Sequence, residues 1–133
     1  MIIDPGKYES RNIYKLMTGV IIPRPIAFVS TISADGIHNL APFSFFTGIS
    51  ANPPVICFCP VVRSGDGAMK DTIRNIEETG KFVVNVVSEE FADQMIICSI
   101  EFPRDVDEFQ ESGLTPIPSD PVRPPRVKES RIN

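Results

Sequence analysis

Hydroxyl, cationic and phenyl side chains crowd two short stretches of this chain. Ala41-Pro42-Phe43-Ser44-Phe45-Phe46-Thr47-Gly48-Ile49-Ser50 sets three hydroxyls, those of Ser44, Thr47 and Ser50, among phenyl groups. Lys70-Asp71-Thr72 stands where a helix is predicted to begin, and Arg63 precedes it in a loop with Gly65, Asp66 and Gly67. Unpaired N–H groups and the helix dipole make such a start attractive to anions. Together these residue types suit a flat, phosphorylated cofactor. Its phosphate needs amides, hydroxyls or a cation, its ring needs apolar walls, and its ring edge needs hydrogen-bond donors. Lys70 and Arg63 supply cations, Ser44, Thr47 and Ser50 supply hydroxyls, and Phe28, Phe45 and Phe46 supply walls. Asp71 opposes this assignment, since a carboxylate competes with phosphate, and leaves Thr72 as the hydroxyl contact. A second reading stays open at this point: a sheet with the same phenyl groups in its core and the hydroxyls outside.

Other chemistries lack their parts. His38 is the single histidine, so a histidine-rich metal site cannot be built within one chain. No glycine-rich dinucleotide turn, no P-loop and no Cys-x-x-Cys occurs, and no nucleophile elbow surrounds any serine. His38 follows a predicted hairpin turn and reads as a surface or hairpin residue. Cys57 and Cys59 fall two apart on one face of a predicted strand and read as small buried hydrophobes, with no base near them in sequence. An odd cysteine count and an N-terminus without a secretory pattern point to a reducing cytoplasm, and no apolar run is long enough to span a membrane. The net charge of −4 gives no support for nucleic-acid binding. The charge is uneven, because residues 121–133 carry Arg123, Arg126, Lys128 and Arg131 against Glu129 alone; this basic tail reads as a solvated connector.

The elements that must position these groups follow from local patterns. At 133 residues, 42% hydrophobic and 23% charged, the chain is expected to form one domain with a substantial core. Ser10 caps a predicted helix over 11–18, with Ile13, Leu16 and Met17 facing inward and Gly19 as its stop. Residues 25–32 are β-branched and aromatic, Ala34-Asp35-Gly36 is a hairpin turn, and Ile37 to Leu40 returns. Asn52-Pro53-Pro54 then breaks the chain before a buried strand at 55–59. Asp71 or Thr72 caps a helix closed by Gly80, with Ile73 and Ile76 as its apolar stripe. Residues 81–87 read as a strand, and Ser88 caps a helix that places Phe91, Met95 and Cys98 on one face. Glu101 to Glu111 is acidic and carries a short helix at most; Leu114 to Ile117 is one short strand. Six of the 13 prolines lie between Pro103 and Pro125, which limits regular structure there. Closely spaced strands of this kind suggest a meander closing into a barrel, mainly β with short helices.

Several of these segments fall in a specific order. Arg24-Pro25-Ile26-Ala27-Phe28-Val29-Ser30-Thr31 comes first, then Asn39-Leu40-Ala41-Pro42-Phe43-Ser44-Phe45-Phe46, then Asn52-Pro53-Pro54. Lys70-Asp71-Thr72 with Asn75-Ile76 follows, then Gly80-Lys81-Phe82-Val83-Val84-Asn85, then Asp107-Glu108-Phe109 with Gly113-Leu114-Thr115. The series strongly resembles the flavin reductase-like, FMN-binding split-barrel proteins, among them flavoredoxins and flavin:NAD(P)H reductases. The resemblance runs from about Tyr14 to Val127 and treats 1–133 as a single domain. It implies a split β-barrel, FMN as cofactor, NAD(P)H as co-substrate, a homodimer with flavin near the subunit interface, and a redox partner protein. It implies flavin contacts from the strand holding Phe28, Ser30 and Thr31, from Ser44, Phe45, Phe46 and Thr47, and from Lys70, Asp71 and Thr72. In that family Pro124-Pro125-Arg126-Val127 leads into further barrel strands. Here Ile132-Asn133 begins such a strand, so the C-terminal strands are expected to be missing, in a fragment or in a short form whose open edge needs a partner. The expected activity is NAD(P)H-dependent flavin reduction; a flavoredoxin-like electron carrier and a cofactor-free dimerisation module are the alternatives. No side chain is expected to act as acid or base, because positioning is the protein's task and the cofactor carries the chemistry.

Overall fold

A computed structural model describes residues 2–63 and 67–133. Strand β1 (Ala27–Ile32) lies at the centre of a three-stranded antiparallel sheet, between β2 (His38–Phe43) and β5 (Val83–Asn85). Ala27 pairs with Phe43 and Ile32 with His38 on one side, and Phe28 with Asn85 on the other. The turn between β1 and β2 closes as its Asp-Gly sequence predicts. Ser33 N–H donates to the Ile37 carbonyl at 2.9 Å, and Gly36 takes the positive φ of 89° that the turn requires. Strands β3 (Phe46–Ala51) and β4 (Pro54–Phe58) form a separate antiparallel ribbon, with its register shifted between Gly48 and Ser50. β6 (Pro116–Ile117) and β7 (Arg126–Val127) make a third, minimal ladder. None of the three sheets closes on itself.

Among the described residues four α-helices accompany these strands: α1 (Ser10–Val20), α2 (Asp71–Thr79), α3 (Ala92–Ile97) and α4 (Glu108–Ser112). Gly80 ends α2 in the left-handed region and donates to the Ile76 carbonyl at 2.7 Å, a backbone position only glycine fills cheaply. No helix among the described residues is long and apolar enough to cross a membrane.

β1 is buried on both faces, which explains its near-continuous apolar sequence. Phe28 packs with Leu40, Phe91, Cys98, Phe109, Leu114 and Val127. Ala27 and Val29 pack with Phe43 on the other side, against Phe46, Phe58 and Val84. The hydroxyls that β1 carries inward need partners there. Ser30 donates to the Pro125 carbonyl at 2.5 Å. Asn85, fully buried, donates to the Phe28 carbonyl at 3.0 Å and the Ser30 hydroxyl at 3.3 Å, and accepts from Val127 N–H at 2.9 Å. One amide thus binds β1, β5 and β7 together.

Several sequence expectations shift. Ser10 is the first residue of α1 rather than its cap, Glu9 precedes it without a side-chain cap, and the helix runs through Gly19. None of its residues is buried; Leu16 and Met17, expected inside, are 37% and 42% exposed. β4 is exposed over Pro54–Ile56, Cys59 is exposed and Cys57 half-buried, although this stretch reads as a buried strand. Apolar periodicity shows that a face needs cover, not which segment supplies it. The predicted caps of α2 also differ: Lys70 is the cap residue, without a side-chain bond. The strand predicted over 81–87 is confined to Val83–Asn85.

Replacing Asn85 by Ala leaves the Val127 N–H buried and unpaired, at a cost of about 3 kcal/mol. A urea unfolding midpoint lowered accordingly, with unchanged slope, is the expected result.

Candidate functional site

A cavity of about 170 Å³ opens where β2, α2 and the segment before α4 meet. Asn39, Ala41 and Pro42 line it from β2, Arg63 from the preceding loop, Lys70 to Thr72 from the start of α2, and Ile100, Glu101, Phe102 and Glu108 from the opposite wall. Arg63, Lys70, Asp71 and Thr72 of the predicted phosphate group thus line one cavity, whereas Ser44, Thr47 and Ser50 do not. The Lys70 ammonium sits 5.8 Å from the centroid of the Phe43 ring and has no ion-pair partner among the described residues. Arg63 donates to the Phe102 carbonyl and lies 3.8 Å from the Asp71 carboxylate. Arg74 approaches the same carboxylate at 3.6 Å. Two guanidinium groups thus offset the charge that the sequence set against phosphate at Asp71. Gly65 and Asp66 of the preceding loop lie outside the described residues.

The hydroxyl of Thr72 is turned inward, almost fully buried, and donates to Asn39 Oδ1 at 2.8 Å. That hydroxyl is thus engaged within the protein rather than free to donate to a ligand. β1 behaves likewise. Phe28 is enclosed in the core, Ser30 is bound to Pro125, and Thr31 donates to Asn39 Oδ1 at 3.2 Å while accepting from Asn75 at 3.0 Å. Their side chains do not line the cavity.

A second group lies along the start of the β3–β4 ribbon. Ser44 accepts from the Arg24 guanidinium at 2.5 Å. Phe45 stands edge-on to Tyr14, centroids 5.9 Å apart, with Arg24 5.8 Å from its ring. Phe46 packs inward against the core beside Phe43. Thr47 is exposed and donates to the Gly48 carbonyl at 3.3 Å; Ser50, also exposed, accepts from Asn52 N–H at 3.2 Å. Phe43 joins the two groups, since it carries Lys70 on its ring and precedes Ser44.

Sequence reasoning missed Asn39 and Glu108, which shape the cavity. Glu108 Oε1 accepts from the Asn39 amide at 2.8 Å and Oε2 from the Leu40 N–H at 3.1 Å. Asn39 in turn holds Thr72 and Thr31, so one carboxylate braces β2, α2 and β1. Burial pushes the Glu108 carboxyl above its ordinary range, against the pull of these donors and with help from Asp107. The signal lay in Asp107-Glu108-Phe109: Asp107 caps α4 by accepting from Phe109 N–H at 2.9 Å, which turns Glu108 inward. His38, read as a surface or hairpin residue, opens β2 after the hairpin turn and is half-buried, with Nδ1 3.3 Å from Asp107 and its ring 5.7 Å from Phe109. Among the described residues no cluster of three or more metal-ligating side chains occurs. Cys98 is a poor nucleophile, its thiol pushed up to about 11 by burial.

Residues 17–133 match the family described as flavin reductase like domain. The chain belongs to this family. A protein of Aquifex aeolicus is 49% identical over 125 residues, 94% of this chain and 63% of that protein. Component B of nitrilotriacetate monooxygenase from Bacillus cereus is 38% identical, with a TM-score of 0.90 over 98% of this chain and 63% of its own. A protein of Shewanella frigidimarina with a split barrel domain is 26% identical, with a TM-score of 0.79 over 98% and 65%. The flavin reductase-like chain described here thus has the split-barrel fold, mostly strands with short helices and sheets left open. It spans about 63% of the length of the Aquifex relative.

Glu108 makes the stability of this fold depend on pH. Its folded-state value is raised above the ordinary 4.5, so the folded protein binds more protons than the unfolded chain just above that pH, and the group's contribution falls as pH rises through that window. Glu108→Gln removes this slope. It also leaves either Asn39 or Leu40 without its acceptor, at a cost of about 1–3 kcal/mol near neutrality. Chemical unfolding of both proteins from pH 4 upward, with the wild-type advantage shrinking as pH rises, is the expected outcome.

Proposed function

We propose that this chain binds FMN and that hydride passes to the flavin from NAD(P)H, as in a flavin reductase. The observation that carries this reading is Lys70, which lines the cavity at the N-terminus of α2 and has no ion-pair partner among the described residues. A cavity of about 170 Å³ is small beside ordinary ligand pockets of about 300–1,000 Å³, so it suits a phosphate tail rather than a whole cofactor. The ring then extends past Ala41 and Pro42 toward Ser44, Phe45 and Thr47.

In this arrangement Lys70 and the first-turn N–H groups of α2 hold the phosphate, while Arg63 keeps Asp71 from repelling it. Phe45, braced by Tyr14, borders the ring, and Arg24 sets the Ser44 hydroxyl toward its edge. The bound flavin supplies two-electron chemistry by accepting the hydride. The protein positions both partners and excludes water, with no acid or base of its own. Apolar residues of α1 left in water, Val20 at 71% exposure among them, support a second copy as cover and a homodimer with flavin near the interface. The Bacillus cereus relative's place in a two-component oxygenase supports a partner protein as electron acceptor, and three free thiols support a cytoplasmic setting.

Lys70→Ala should weaken FMN binding roughly tenfold to a hundredfold, the loss of one charge-assisted contact, while turnover at saturating FMN persists. Fluorescence titration with FMN and anaerobic NADH oxidation measure the two. Wild-type protein that leaves FMN fluorescence unchanged sinks the cofactor assignment. Tight binding without NADH or NADPH oxidation would place the chain among electron carriers instead.

A further inference from the structure

Glu108 shares its cavity with Lys70 and the start of α2, yet no cation among the described residues pairs with it. The carboxyls of this cavity are not equivalent. Asp71 lies 3.8 Å from Arg63 and 3.6 Å from Arg74, so two guanidinium groups offset its charge. Glu101 is exposed, where water screens it. Glu108 is buried, and only N–H groups answer its charge: the Asn39 amide at 2.8 Å on Oε1 and the Leu40 main chain at 3.1 Å on Oε2. A carboxylate has about four lone-pair sites, and these two donors use one on each oxygen. A proton can therefore join either oxygen without breaking a bond to β2. The other titratable and charged groups packed around Glu108 do not neutralise it. His38 of β2 is turned to Asp107, with Nδ1 3.3 Å from that carboxylate. Asp107 adds repulsion from the same element. The Cys98 thiol, from the end of α3, is pushed up to about 11 by burial and is neutral. Arg104, which lines a small second cavity with Glu108, lies 3.4 Å from Glu78.

A phosphate held by Lys70 and the first turn of α2 enters the same space as this carboxyl. Like charges sharing one cavity disfavour each other, and the carboxyl escapes by taking a proton. We propose that occupation of the cavity by the FMN phosphate draws one proton from solvent onto Glu108, so that dianion and proton bind together. The proposal rests on the FMN reading above and adds to it the regulation of that site by pH. Burial already holds the free carboxyl above its ordinary range, and a bound anion moves it further the same way. The complex then holds more protons than the free protein, so FMN affinity falls as pH rises, and a more acidic medium tightens binding. For a single proton the slope is about tenfold per pH unit at most. Glu108 has no part in hydride transfer; it sets how tightly the phosphate tail is held.

Fluorescence titration with FMN from about pH 5 to about pH 8, on the wild type and on Glu108→Gln, tests the coupling. The flavin phosphate has its own protonation step at about pH 6, which is common to both proteins and cancels in their ratio. The expected result is a wild-type affinity that falls relative to Glu108→Gln as pH rises, by roughly tenfold or more across the range. Glu108→Gln also strips an acceptor from β2, so the wild type is measured alone as well. Calorimetry of FMN binding at about pH 7.5, in two buffers of different ionisation enthalpy, counts the protons exchanged when the phosphate is already a dianion. A net uptake of protons is expected. Parallel affinity profiles for the two proteins, or wild-type binding with no uptake or with release of protons, overturns the coupling and leaves the cofactor reading standing. Wild-type protein that leaves FMN fluorescence unchanged at every pH removes the cofactor reading and this proposal together.

Discussion

A single buried carboxylate organises the cavity. Glu108 is taken out of water by α4 and answered by two N–H donors, the Asn39 amide and the Leu40 main chain, rather than by an ion-pair partner among the described residues. Removing a carboxylate from water is expensive, and hydrogen bonds repay the cost only if their geometry is held. The consequence spreads through Asn39, whose carbonyl takes the Thr72 and Thr31 hydroxyls, so the end of β2, the start of α2 and the centre of β1 are fixed relative to one another. The cavity wall from Asn39 to Pro42 and the cationic entry of α2 face each other because of this chain of bonds.

A second buried amide does for the sheet what Glu108 does for the cavity. Asn85 and Ser30 tie the edge strand and the late ladder to β1, through the Phe28 carbonyl, Val127 N–H and the Pro125 carbonyl. Both networks put polar side chains where sequence alone places apolar ones or ligand contacts. Each is satisfied almost throughout; the Asn75 carbonyl is the one buried side-chain acceptor among the described residues without a partner. Such networks specify a single arrangement more strictly than apolar packing, because any slip leaves a donor or acceptor unpaired.

The outer surface is less finished than the interior. α1 buries none of its residues, and β4 shows Val55 and Ile56 at 41% and 51% exposure. A cleft of about 490 Å³ separates Ile56 of β4 from Phe82 to Val84 and the turn at Ser119 to Val122. Exposed apolar side chains thus occur on α1, on β4 and at the rim of this cleft. They agree with the open sheets of a split barrel.

The amino-acid sequence determined the elements whose causes are local. Asp35-Gly36 closes the β1–β2 turn because glycine takes positive φ there, Gly80 ends α2 for the same reason, and the ordered motifs from Arg24 to Thr115 place the chain in its family. Lys70 at the mouth of α2 was legible too, since a helix start and a cation are both properties of a few neighbouring residues. Tertiary structure decided which way the hydroxyls face. Ser30, Thr31 and Thr72 carry the residue types of a ligand site, yet each donates to a neighbouring segment of the fold, Pro125 in one case and Asn39 in two. The burial of Glu108 and the exposure of β4 were equally hidden. Burial is set by contacts between distant segments, and side-chain period tells only that a face differs from its opposite.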